Sequence, residues 1–319
     1  MNILITGATG FIGKTLLKEL AATTNHKITC LIRDPKKAHI VESLGAKVIY
    51  GDITDKQSLK PIESLKFDAI FHSAALVMSK NYKLLYKTNV IGTENICRLA
   101  LKLSVLRFVH VSSIAVVGAS LQIPVTEDVS YCPTNAYGLS KTEAELKIIE
   151  FRKMGLPAVI IRPPVVYGEE EPHMLKKLLF LLKFRLLPLI ENGKHKLHMA
   201  YVKNVASALI YSLTKKEFLK GSFFTADEEA LTIREIFDIF SDAIGTKPAF
   251  SVPLCVNPFL LSLPFLGKRF ATFTKDKIFD ISRIKSLGFN PPYQARKSLE
   301  LTANSFKHIH QPGSNITLE

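Results

Sequence analysis

Tyr137 and Lys141 stand four residues apart in a stretch, 135–154, whose pattern is helical. That spacing puts both side chains on one helix face. A phenol with its usual pKa near ~10 is a poor base at neutral pH. An ammonium one turn away stabilises the phenolate, which makes the pair a general acid and base close to working pH. Ser113 follows an apolar strand pattern at 107–112, where a hydroxyl can donate to a carbonyl oxygen held against Tyr137. Alone, Tyr-x-x-x-Lys arises often by chance and strand-end serines are common caps. The three residues gain meaning from following, in chain order, a glycine-rich loop near the start of the sequence.

That loop is TGATGFIG, Thr6 to Gly13. Its glycines directly follow a strand pattern and open a helical one, the context a dinucleotide fingerprint requires. Gly7 makes the tight turn, Gly10 admits the pyrophosphate to the backbone, and Gly13 lets helix and strand pack closely. The helix N-terminus then presents unpaired N–H groups to the phosphates. Gly7, Thr9, Gly10, Phe11, Ile12 and Gly13 are therefore expected around a bound cofactor. The second strand ends at Arg33, where an NAD enzyme usually places an acid on the ribose 2′-hydroxyl. A guanidinium fork instead grips a 2′-phosphate, so NADP(H) is preferred; Asp34, one place later, leaves NAD(H) open. Asp52, in YGDIT with Ile53, is placed to meet the adenine edge, against the plainer reading of a turn-initiating aspartate.

The elements that must position these groups alternate. Short apolar strands are expected at 2–6, 27–32, 47–50, 68–71, 107–112 and 158–161, with helices at 11–22, 35–44, 59–65, 82–103 and 135–154. Strands apolar throughout are buried on both faces, so the fold class is α/β, a Rossmann-type doubly wound parallel sheet. After Gly168 the texture changes. Residues 1–168 read as the cofactor-binding domain and 169–319 mainly as a smaller C-terminal substrate lobe, with a strand-helix near 197–213 returning to the first domain. A basic, very apolar helix is expected at 174–187, and a helix at 232–244 opens on a Thr-x-x-Glu capping box, Thr232 and Glu235. Pro253, Pro258 and Pro264 break an apolar stretch that cannot be one straight helix. The tail after Pro312 is expected to be disordered.

These motifs resemble the extended short-chain dehydrogenase/reductase family, also called the epimerase/dehydratase superfamily, over nearly the whole chain. FHSAA, with Ala74 and Ala75, is similar to the segment passing beneath the cofactor. TNVIGTENI carries Asn89, the asparagine that steadies the central sheet in that family. VSSIAVVG holds the Ser113 position and YGLSK the active-site pair, where Lys141 also holds the nicotinamide ribose. IRPPVVYG, with Pro164 and Val166, resembles the segment touching the nicotinamide end. The resemblance implies a homodimer built on the two long helices.

Departures from the family narrow the expected substrate. Val165 stands where nucleotide-sugar epimerases usually carry an asparagine, and no arginine stands near Leu197 for a diphosphate. Ile114 and Ala115 replace the Asp-Glu pair of the sugar-nucleotide dehydratases. The order PHMLKKLLFLL, HMAYVKNVASALI, DISRIKSLGFNPP resembles the 3β-hydroxysteroid dehydrogenase branch. Arg33 to Pro35 resembles the dihydroflavonol-type reductases. The expected substrate is an apolar ketone or alcohol, sterol-like, 3-oxoacyl-like or polyketide-like. The rival readings are an epimerase with bound NAD and a non-catalytic NADP(H)-binding regulator.

Composition bounds the rest. At 319 residues, 47% hydrophobic, the chain fits a packed globular protein. Met1 leads straight into a strand pattern and no apolar run reaches the ~20 residues of a spanning helix, so the expected compartment is the cytoplasm. Cys30, Cys97, Cys132 and Cys255 have no metal or redox spacing, and His195 and His198 lack matching ligands; no metal is expected. His72 follows a buried strand and is expected to bond locally. The net charge of +14 is spread along the chain, which speaks against nucleic acid and for a phosphorylated cofactor and peripheral contact with an anionic membrane.

Overall fold

The computed structural model describes every residue except Ala119, Leu121, His173, 253–273 and 308–319. The expectations for Pro253, Pro258, Pro264, Cys255 and the tail after Pro312 lie outside the described residues. Apolar runs form the strands, and helices separate them: β1 (Asn2–Thr6), α1 (Phe11–Thr23), β2 (Lys27–Ile32), α2 (Ala38–Glu42), β3 (Lys47–Tyr50), α3 (Lys56–Leu59), β4 (Ala69–His72), α4 (Tyr82–Leu85), α5 (Gly92–Lys102), β5 (Arg107–Val111), α6 (Ala136–Lys153) and β6 (Ala158–Arg162). The chain continues through β7 (Val165–Tyr167), α7 (Leu175–Lys183), β8 (Leu189–Ile190), β9 (Lys196–Leu197) and β10 (Met199–Tyr201). Next come α8 (Val202–Tyr211), β11 (Ser222–Phe224), β12 (Leu231–Thr232), α9 (Ile233–Ile244), β13 (Ser251–Val252), α10 (Ser282–Ser286) and α11 (Ala295–Lys307).

The chain divides into two compact units. The first comprises residues 1–164, 202–226 and 280–292, the second 165–201, 227–279 and 293–319. In the first, seven parallel strands stand in the order β11-β6-β5-β4-β1-β2-β3. Every residue of β4 and β6 is buried, as a sheet covered on both faces requires; at the β3 edge, Lys47 and Tyr50 reach solvent. From β1 the chain winds outward to β3, then crosses to β4 and winds the other way. The reversal between β1 and β4 is the switch point at which such sheets bind ligands, beyond the strand C-termini. In register there, Thr6 faces His72 and His72 faces His110.

The helix expected over 59–65 starts earlier, as α3, and continues as a 3-10 turn at Lys60–Ser64, and the one expected over 35–44 opens as a 3-10 turn at Pro35–Lys37. Two further elements differ from expectation. The helix expected over 82–103 is interrupted by a π-turn at Tyr86–Ile91, a local widening that hydropathy periodicity does not register. The strand expected to return near 197 does not join the main sheet: β10 pairs with β7 in a two-stranded ribbon of the second unit. Only α8 returns, packing on α1, and the seventh strand is β11, three residues too short to stand out in sequence. In the second unit α9 packs against both α7 and α11, and its capping box forms as the sequence indicates.

Candidate active site

Four residues turn the chain from β1 into α1. Gly7 has φ +75°, and a Cβ there would lie 2.5 Å from the Ala74 nitrogen; a Cβ on Gly13 would lie 2.2 Å from the Gly7 carbonyl oxygen. Gly10 is different. Its backbone is ordinary, with φ −85° and ψ 170°, and a Cβ would meet nothing but the Gly7 oxygen, at 3.3 Å. What glycine preserves at Gly10 is open space in front of the helix. α1 has neither a side-chain cap nor an acid in its first turn, so its leading N–H groups face that space. The cradle fits the pyrophosphate of a nicotinamide dinucleotide. Thr9, Phe11 and Ile12 stand half-buried beside it, and Ala74 and Ala75 follow β4 after Ser73.

Arg33 emerges exposed from β2. Asp34 turns its carboxylate back to accept from Lys36 N at 3.1 Å, capping a short 3-10 turn that also exposes Lys36 and Lys37. The Asp52 carboxylate closes a turn by accepting from Thr54 N at 2.8 Å, and Ile53 is buried against Gly92.

Ser113 and Tyr137 meet because Gly138 lets two segments close. A Cβ on Gly138 would stand 2.5 Å from the Ala115 carbonyl oxygen, so the first turn of α6 lies directly on the turn after Ser113. Asn135 starts α6 by accepting from Gly138 N at 2.8 Å. The Ser113 hydroxyl lies beside the Tyr137 phenol, near enough to favour its ionised form, and accepts from Ala115 N at 3.2 Å. Sequence reading did not single out Gly138; its signal was a glycine in the first turn of an otherwise strong helix.

Lys141 is 1% exposed. Its ammonium donates to the Val111 carbonyl at 2.8 Å and to His110 Nε2 at 3.0 Å. Desolvation pulls its pKa down to about 8, with Glu145 opposing. Burial pushes the Tyr137 phenol up to about 12, and the neighbouring Ser113 hydroxyl only partly offsets this. The expectation that Lys141 depresses the phenol's pKa is therefore corrected. Desolvation wins, and the ammonium is held by β5.

Behind these groups runs a buried polar chain. Asn89 accepts from Leu76 N at 2.7 Å and donates to Leu76 O and Ser140 Oγ, each at 2.9 Å. The π-turn thereby ties the segment after β4 to α6. Thr93 gives its proton to Asn89 O at 2.6 Å. His72 Nε2, 2.9 Å from that hydroxyl, must then donate to it, and His72 Nδ1 accepts from Thr6 Oγ1 at 2.7 Å. Burial holds His72 neutral, its pKa down at about 3, so its role is the local bonding its sequence context indicates. His110 must accept at Nε2 from the ammonium, which leaves the proton on Nδ1; that atom is buried without a partner.

A second set escaped sequence reading. Glu145 accepts from Ser112 Oγ at 2.5 Å, from Tyr131 OH at 2.7 Å and from Arg162 Nη2 at 2.6 Å, anchoring the end of β5 from α6. Its signal was position: Glu145 lies one helical turn beyond Lys141 on the same face. Pro164 is buried at the end of the first unit, and Val166 lies half-buried in β7 of the second. In the second unit His198 is satisfied, with Nε2 on Asp227 O at 2.7 Å and Nδ1 accepting from Phe279 N. Among the described residues no group of three His, Cys, Asp or Glu is arranged for a metal.

The profile of the NAD dependent epimerase/dehydratase family matches residues 3–224, from β1 through β11. The chain belongs to this family. It is an extended short-chain dehydrogenase/reductase, an NAD(P)-dependent oxidoreductase acting on hydroxyl and ketone groups. Within the family it is similar to a 4-hydroxy-2-methyl-3-oxo-4-farnesyl-3,4-dihydroquinoline-1-oxide ketoreductase of Stigmatella aurantiaca, 25% identical over 252 residues that cover 77% of this chain and 74% of that protein. It is also similar to the UDP-glucose 4-epimerase of Vibrio cholerae, 26% identical over 320 residues, 96% of this chain and 95% of that one. The fold superposes on the Thermotoga maritima UDP-glucose 4-epimerase crystallised with UDP-glucose at a TM-score of 0.79, with 21% identity over 98% of this chain and 100% of the other.

Proposed function

We propose that this family member is an NADP(H)-dependent reductase that converts an apolar ketone to its secondary alcohol. The observation that carries the reading is the turn after Ser113 packed directly on the first turn of α6, which brings the Ser113 hydroxyl beside a Tyr137 phenol whose pKa burial raises to about 12. A phenol so raised is protonated at neutral pH and serves as an acid, the state that carbonyl reduction requires. Bound NADPH supplies the hydride. Ser113 and Tyr137 donate to the carbonyl oxygen; Tyr137 gives it a proton as negative charge develops there. Lys141, protonated below about pH 8, holds the nicotinamide ribose. The loop from Gly7 to Gly13 binds the pyrophosphate, and Asp52 and Ile53 border the adenine.

NADP preference rests on Arg33, flanked by exposed Lys36 and Lys37, while Asp34 is committed to its turn. The apolar substrate class rests on Val165 and Leu197, which offer no polar group to a sugar diphosphate, and on the farnesylated ketone named for the Stigmatella relative. Exposed Leu139 and Leu146 on α6, with Leu84 on α4, give a homodimer an apolar face. The Vibrio relative, matched along nearly all of both chains, favours a second reading, a nucleotide-sugar epimerase with retained NAD. A panel of sterol-like, 3-oxoacyl and cyclic ketones assayed by absorbance with NADPH and NADH separates the two. Turnover of free NADPH with at least one ketone supports the reductase. Tightly retained NAD with interconversion of UDP-sugars and no net redox supports the epimerase.

A further inference from the structure

We infer that α7 and the turn after it dock the second unit onto an anionic lipid surface. One edge of α7, Leu175, Leu179 and Leu182, is buried within the unit, where the helix packs on α9. The opposite edge, Lys176, Lys177, Phe180, Lys183 and Phe184, is exposed. The chain then turns through Arg185, whose φ of +52° is left-handed, and presents Leu186. Phe180 is 44% exposed, Phe184 56%, Leu186 61% and nearby Phe250 39%. These are not scattered residues. The Phe180 and Phe184 rings lie 4.7 Å apart, the Lys183 ammonium is 6.0 Å from the Phe184 centroid, and the Arg185 guanidinium is 5.9 Å from that of Phe250.

Rings and cations alternate over the whole patch, and residues 172–190 contain no aspartate or glutamate. On the neighbouring α9, Asp238 is paired with Arg234 at 3.7 Å, and Asp242 is exposed. Clustered exposed aromatics are costly in water. At a bilayer interface the rings enter the acyl boundary while lysine and arginine meet lipid phosphates, which is the chemistry of an in-plane amphipathic helix. The contact is peripheral, because no helix among the described residues is long and apolar enough to cross a membrane. The inference is independent of the proposed reaction.

Vesicle flotation of the full chain tests it, with phosphatidylcholine alone and phosphatidylcholine mixed with phosphatidylglycerol. The chain is expected to float with the anionic vesicles, not the neutral ones, and to dissociate as salt rises. Lys176→Gln and Lys177→Gln should each weaken binding ~5-fold. The double variant Phe180→Ser/Phe184→Ser should abolish flotation while NADPH binding stays unchanged. Three results would overturn the proposal: wild-type chain that does not float with anionic vesicles, flotation unaltered in the double variant, or sedimentation showing that the double variant separates a dimer into monomers, which would assign the face to a second copy of the chain.

Discussion

The Lys141 ammonium donates to the Nε2 of His110 at 3.0 Å, buried at the end of β5. A neutral imidazole is a good acceptor for this bond, and desolvation keeps His110 neutral, its pKa well below the ordinary value. His110 touches no reacting atom; it is a positioning residue that aims the ammonium. His110→Leu leaves the ammonium its bond to Val111 O. We expect kcat to fall ~10- to 100-fold, as for a misplaced catalytic group. Losing a bond to the charged form lowers the ammonium's pKa, so the alkaline limb of the kcat profile should also move down, and His110→Gln should restore part of both. A stability loss with an unmoved pH profile would make His110 merely structural.

The pH dependence follows from two opposed shifts. Tyr137 stays protonated to about 12, whereas Lys141 loses its charge near 8. Ketone reduction should therefore be level through neutrality and decline above about pH 8 with Lys141, well before the phenol ionises. Rates unchanged up to the phenol's own range would deny Lys141 its role.

The same shift has a stability consequence. Lys141 titrates at about 8 in the folded chain against an ordinary 10.5, so between those values the unfolded chain binds more protons. The buried ammonium costs stability fully below pH 8, and the cost is relieved as pH rises toward 10.5. Wild type should gain up to about 3 kcal/mol relative to Lys141→Met across that window, measured by urea unfolding at both ends. A constant difference between the two proteins would contradict the assigned shift.

Arg33→Ala should raise the KM for NADPH about 10- to 100-fold, the worth of charged hydrogen bonds to a phosphate, and leave the KM for NADH nearly unchanged. Equal effects on both cofactors would remove Arg33 from the 2′-phosphate.

Gly138→Ala puts a methyl 2.5 Å from the Ala115 carbonyl oxygen, which must push the Ser113 turn away from Tyr137. We expect kcat to drop about 100-fold while the Kd for NADPH changes far less, because the pyrophosphate is held by the loop from Gly7 to Gly13. Wild-type kcat in this variant would show that the Ser113–Tyr137 contact is dispensable.

Much of this was legible in the sequence because the signals were local and repeated. β1, β2 and β3 have the bounds their apolar runs indicate, and Gly7 and Gly13 are glycines for steric reasons visible in TGATGFIG. What escaped depended on distant partners. The π-turn at Asn89 is imposed by bonds to Leu76 and Ser140. The strand Ser222–Phe224 exists because β6 offers it an edge. The burial that raises Tyr137 and lowers Lys141 belongs to the packed first unit, and spacing along a helix carries no record of desolvation.

The most direct measurement is single-turnover reduction of a responsive ketone by Tyr137→Phe with NADPH, alongside cofactor binding by fluorescence. Loss of ~10²- to 10⁴-fold in the chemical step with NADPH affinity intact is the predicted result for a missing proton donor. Reduction at the wild-type rate, with cofactor bound equally well, would contradict it.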